Sequence, residues 1–138
     1  MVEMLPSGLA DKVEDDEDVV RFLTSSRQFN AVMVKPSAFL PNPKDGKKSV
    51  YRHGSHPRES LWRIWDEYVA GAGTLHGAAI VKVTHVRSAQ LDVVAQEPPP
   101  RHANIVGWPW SQTDPEMGKA EQKERAALIA QCAEVVRR

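Results

Sequence analysis

The stretch that most constrains this chain is residues 78–95, where AAIVKVTHV and AQLDVVA stand almost back to back, separated only by Arg87 and Ser88. Ala79, Val81 and Val83 alternate with Ile80, Lys82 and Thr84, the period-two pattern of a strand with one buried face. Two such segments joined by two residues predict a hairpin, or one bent strand with a bulge. Either way, the chain builds a sheet from neighbours in sequence.

Proline and glycine cut the remainder into short pieces. Residues 31–35 (AVMVK) read as a strand closed by Pro36, and residues 40–48 (LPNPKDGKK) as a loop or hairpin tip. Residues 49–53 (SVYRH) follow as a strand antiparallel to the one before. Pro57 suits a first helical turn, with Ser55 or His56 as cap and Leu61, Trp62, Ile64, Trp65, Tyr68 and Val69 as an apolar face. Gly71 and Gly73 end that helix. Val19, Val20, Phe22 and Leu23 fit one or two helical turns started by Asp16 or Asp18. Residues 97–101 (EPPPR) read as a stiff extended linker and residues 103–106 as a last short strand. Asp114-Pro115-Glu116 then opens an alanine-rich helix running to about Val136. The order of elements predicts an α+β single domain over residues 19–138, with a mainly antiparallel sheet packed against two principal helices.

The charges balance over 138 residues but are unevenly spread. Residues 1–18 hold seven acids against Lys12, and residues 19–63 hold nine bases against Asp45 and Glu59. The acidic stretch has little apolar surface to offset its ordering entropy, so a flexible, disordered tail is expected over residues 1–18. The basic excess in residues 19–63 could serve an anionic partner such as nucleic acid, with the tail competing for it, or be spread over several solvated faces. Residues 1–10 lack a basic start and no apolar run spans a bilayer, so a cytoplasmic protein without membrane attachment is expected. Cys132 is the only cysteine, which fits a reducing compartment.

Phosphate-cradling glycine loops, zinc-type His and Cys spacings and the serine-nucleophile elbow are missing from the sequence, so no catalytic residue, cofactor or metal is expected. The richest chemistry lies in Tyr51-Arg52-His53-Gly54-Ser55-His56-Pro57-Arg58. Arg52, His53, His56 and Arg58 could form an anion or ligand site at a helix start, joined by Arg101 and His102 from the far side of the prolines. Solvated, capping or hydrogen-bonded roles are the plain alternative for these histidines. In Gly107-Trp108-Pro109-Trp110, the tryptophans Trp108 and Trp110 read either as a partner-binding platform or as side chains closing over the sheet.

Ser25-Ser26-Arg27, Ala38-Phe39-Leu40, Ser49-Val50-Tyr51-Arg52 and His102-Ala103-Asn104-Ile105-Val106-Gly107-Trp108-Pro109, closed by an alanine-rich helix, give a further lead. Over about residues 19–136 the chain resembles a group of small uncharacterised bacterial proteins. The resemblance implies a self-standing bacterial module and carries over no site and no cofactor. The first expectation is therefore a non-catalytic binding module, an accessory, adaptor or immunity-like subunit that associates with a larger bacterial protein. The alternatives are a small enzyme acting on a phosphate-containing or nucleotide substrate through the Arg/His site, and a nucleic-acid-binding accessory protein.

Overall fold

A computed structural model describes residues 4–53, 59–69, 71, 73–111, 113–114 and 116–138. Among the described residues six strands form one antiparallel sheet: β1 (Asp18–Leu23), β2 (Lys48–Arg52), β3 (Gly77–Lys82), β4 (Asp92–Ala95), β5 (His102–Val106) and β6 (Glu134–Val136). Their order across the sheet is β4-β5-β2-β1-β3-β6. Helix α1 (Glu59–Ile64) continues into a π-helical segment, Trp65–Val69; α2 is Val83–Ser88 and α3 is Lys119–Cys132. The α+β class and the antiparallel sheet are as expected from the sequence.

The sheet separates two apolar clusters. Val19 and Leu23 of β1, Val50 of β2 and Ala103 and Ile105 of β5 face α2, α3 and the turn Pro36–Ala38. Val20, Phe22, Tyr51, Ala78 and Ile80 face Leu61, Ile64 and Trp65 of the first helix. Phe22 meets Trp65 at 5.4 Å and Tyr51 at 6.0 Å between ring centroids, both in tilted geometry. That helix covers the β1 and β3 half of its face. Among the described residues no helix covers the β4-β5-β2 half.

Several elements differ from their expected form. The first, read as helical turns, is β1, paired to β3 along its whole length from Asp18↔Lys82 to Leu23↔Gly77. A central strand buries both faces, so its run of apolar residues loses the alternation that marks a strand. Residues 31–35 are not a strand: Asn30 Oδ1 accepts from the amides of Val32 and Met33, closing a local turn, and only a Phe29↔Val34 bridge forms. The strand expected through Val86 stops at Lys82. There the segment before β1 takes over, with the amides of Val83 and Thr84 donating to the carbonyls of Glu17 and Asp15. The chain then winds into α2, burying Val83 and Val86 one helical turn apart.

The prolines 98–100 are no extended linker but the reversal of a β4–β5 hairpin, with the Gln96 amide donating to the His102 carbonyl. Gly118 at φ 76° delays the last helix to Lys119, and Ala133 turns extended so that β6 can pair with β3. The helix therefore ends at Cys132, not near Val136. The expected start of the first helix at Ser55, His56 and Pro57 lies outside the described residues.

The segment expected to be a flexible tail is held on the domain at Ser7, Ala10, Val13, Asp15 and Glu17. Val13 is buried in the main core. Ser7 donates to Glu97 at 2.5 Å, and Arg87 binds both Asp15 and the Val13 carbonyl. Three acids of this segment, Glu17, Asp18 and Asp15, pair with Arg52, Lys82 and Arg87, and the buried Arg52–Glu17 fork is the best-sheltered of these ties to the domain.

Candidate functional site

Arg52 sits at the end of β2 and is 1 % exposed. Its Nε and Nη2 donate to the two carboxylate oxygens of Glu17 at 2.9 Å each, a bidentate fork. Nη1 donates to the Ala10 carbonyl at 2.7 Å and Nη2 also to the Lys12 carbonyl at 3.4 Å. Arg52 therefore fastens the N-terminal segment to the sheet. His53 is buried beside it, its amide donating to the Asp18 carbonyl and its carbonyl accepting from Arg101 Nη2 at 3.1 Å. Arg101 also donates from Nε to the Arg52 carbonyl at 2.8 Å, joining the proline turn to the end of β2. Burial holds the Arg101 guanidinium below its ordinary range, and repulsion from Arg52 adds to this.

Three residues of the sequence-derived anion site thus come together, but around main-chain carbonyls and Glu17. His56 and Arg58 lie outside the described residues. Trp108 is 6 % exposed, with its indole N–H on the Ile105 carbonyl at 3.1 Å, and belongs to the core. Trp110 is half-buried, donating to the Pro43 carbonyl and lying against Gly46, where φ is +68° and an added Cβ would come within 2.6 Å of the indole. One tryptophan closes the core and the other pins the loop before β2.

His102 takes a different course from Arg101. In the β2–β5 register Tyr51 faces His102 and Ser49 faces Asn104, so Ser49 and His102 are diagonal neighbours on the open face. Ser49 Oγ and His102 Nε2 are 2.7 Å apart, and His102 Nδ1 is 2.8 Å from the Gln96 carbonyl oxygen. A carbonyl only accepts, so Nδ1 carries the proton; in the neutral ring Nε2 then accepts from the Ser49 hydroxyl. The Tyr51 ring stands edge-on to the imidazole at 5.4 Å, and Asn104 donates to the Gln96 side chain. The ring is held from three sides with its basic nitrogen on a serine.

Ser49 and Arg21 both line two adjoining clefts. One, of about 310 Å³, is shared with Asp45, Lys47, Lys48 and His102. The other, of about 460 Å³, lies between Tyr51 and the Trp65, Tyr68 and Val69 stretch of the first helix. Arg21 reaches from β1 with Nη1 on the Ser49 carbonyl at 3.3 Å, while its Nε is buried and without a hydrogen-bond partner among the described residues. Burial lowers the Arg21 guanidinium. Burial, then repulsion from Arg21, brings the Lys48 ammonium down to about 8. Desolvation raises Tyr51, with Arg21 opposing. Among the described residues none of Arg21, Lys47 and Lys48 forms a salt bridge.

The sequence points to a basic excess over residues 19–63 that includes Arg21, Lys47 and Lys48, but singles out neither Arg21 nor Ser49. Read as part of a helix, Arg21 has no place beside β2. Ser49 gains its role only from a histidine 53 positions away. Among the described residues no three His, Cys, Asp or Glu side chains cluster to hold a metal, and no helix is long and apolar enough to cross a membrane. Comparison with protein families, with curated proteins and with solved structures finds no match, so the site is read from its own geometry.

Proposed function

We propose that this domain binds a small anionic ligand, bearing phosphate or carboxylate, in the cleft between β1, β2 and β5. The observation that carries this reading is a set of cations unpaired among the described residues: Arg21, Lys47 and Lys48 line one cleft with a single carboxylate, Asp45. Buried charge is costly and is ordinarily paired; a cleft that leaves it unpaired supplies to an incoming anion what the protein withholds from itself. Arg21 offers a planar fork and Lys48 a mobile point charge, a pairing suited to an anionic oxygen cluster. This is the phosphate-directed alternative of the sequence reading, moved to other residues.

The test is thermal unfolding and calorimetry with sodium pyrophosphate and with succinate. Millimolar ligand raises the unfolding temperature of the wild type, and Arg21→Gln or Lys48→Gln weakens binding at least tenfold. Absence of any stabilisation by either anion at that concentration refutes the reading.

A second reading rests on a separate surface. We infer that the turn at Val32 and Met33, 86 % and 52 % exposed, is where a larger protein partner docks, as an accessory module requires. Native mass spectrometry of protein purified gently from its host tests it. A stoichiometric partner that Val32→Asp removes supports docking at the turn, and one that survives the change places docking elsewhere.

A further inference from the structure

We infer that Ser49 is a nucleophile and His102 its general base, and that the domain hydrolyses carboxylic esters whose acid portion carries a negative charge. The inference rests on the anion-binding reading, since the cations of the cleft select the substrate. The required parts are a hydroxyl 2.7 Å from a basic imidazole nitrogen, and a carbonyl 2.8 Å from the opposite nitrogen that fixes the ring and its tautomer. Nucleophile, base and orienting group in this order form the arrangement that activates a serine. Ser49 stands where the two clefts meet, so a substrate lying across them brings its carbonyl to the hydroxyl. Arg21, anchored on the Ser49 main chain and lining both clefts, puts its guanidinium charge beside the hydroxyl where the oxyanion develops.

The steps balance without any further reagent. Ser49 Oγ bonds to the ester carbon as its proton passes to His102 Nε2, giving an imidazolium with both N–H groups held. The tetrahedral species collapses, the bond from the carbonyl carbon to the alcohol oxygen breaks, and Nε2 returns the proton to the departing alkoxide. Water then attacks acyl-Ser49, giving its proton to Nε2. The Ser49 oxygen leaves with that proton. Ester and water become acid and alcohol.

The lysines play a separate part. Lys47 and Lys48 face the acid portion from the 310 Å³ cleft, so a carboxylate there is favoured over a methyl group.

The test uses para-nitrophenyl acetate and para-nitrophenyl hemisuccinate with the full chain, following nitrophenolate release, intact mass and peptide mapping of the adduct. The wild type gains one acyl group on Ser49 and turns over the hemisuccinate in preference to the acetate. Ser49→Ala gains none, His102→Gln acylates about 10²–10⁴-fold more slowly, and Lys48→Gln loses the preference. Ser49→Cys retains a thiol that iodoacetamide alkylates faster with His102 present than in the double variant. An adduct confined to lysines, or release unchanged in Ser49→Ala, overturns the proposal. If pyrophosphate still stabilises both wild type and Ser49→Ala while no acyl-serine forms, the catalytic step falls and the anion site stands. If pyrophosphate binding fails as well, both fall.

Discussion

Replacing Lys48 by methionine isolates the cost of holding a cation in the cleft. The side chain is half-buried beside Arg21, and its ammonium titrates near 8 instead of at the ordinary 10.5, first through desolvation and then through Arg21. At about 1.4 kcal/mol per pH unit that difference is worth about 3 kcal/mol. Partial contact with water screens it, leaving an expected penalty of about 2 kcal/mol near neutral pH. Because the folded value lies below the unfolded one, the unfolded chain holds a proton that the folded chain has lost between about 8 and 10.5. Wild-type stability contributed by this group therefore rises with pH through that window, and below about 8 the full penalty stands. Methionine keeps the length of an unbranched stem and removes the charge. Lys48→Met is thus more stable than the wild type by about 2 kcal/mol near neutral pH, and the gain shrinks as the pH climbs past 8 and vanishes beyond 10.5. Urea unfolding followed by tryptophan fluorescence across that pH range measures it, with pyrophosphate binding weakened in the same variant. A variant less stable near neutral pH, or a gain that ignores pH, refutes the reasoning.

Other substitutions probe the scaffold around the site. Arg52→Met leaves the Glu17 carboxylate and the Ala10 and Lys12 carbonyls without their partner, costing about 3–5 kcal/mol in urea unfolding. The double change with Glu17→Leu recovers part of that loss, and a single change costing almost nothing would show that Arg52 does not hold the N-terminal segment. Trp108→Ala opens the main core and costs about 3–5 kcal/mol by the same measurement. Trp110→Ala costs clearly less, and equal losses would contradict their different burial. Gly118→Ala places a Cβ 2.3 Å from the Pro109 carbonyl oxygen at φ 76° and costs about 1–3 kcal/mol, read as a lower thermal midpoint.

Elements whose signals are local are legible in the amino-acid order alone. β2, β5 and the body of α1 follow from short β-branched runs, helical spacing and the turn residues between them, and together they give the α+β class. Elements whose form depends on a distant neighbour are not. Val19 to Leu23 could pack as a helix or a strand, and become β1 because β2 and β3 flank them on either side. Val83 to Val86 alternate like a strand, yet wind into α2 where Glu17 and Asp15 cap the ladder. Glu134 to Val136 leave the helix because β3 has an open edge. The acidic segment is too polar to order itself, and its partners Arg52 and Arg87 lie far along the chain. The site follows the same division. Histidine, serine and a basic stretch are visible in the amino-acid order, but the 2.7 Å contact between Ser49 and His102 depends on the β2–β5 register. Period and turn chemistry act over a few residues and can be read from the chain; register and burial arise from the pairing of distant segments and exist only once the sheet has closed.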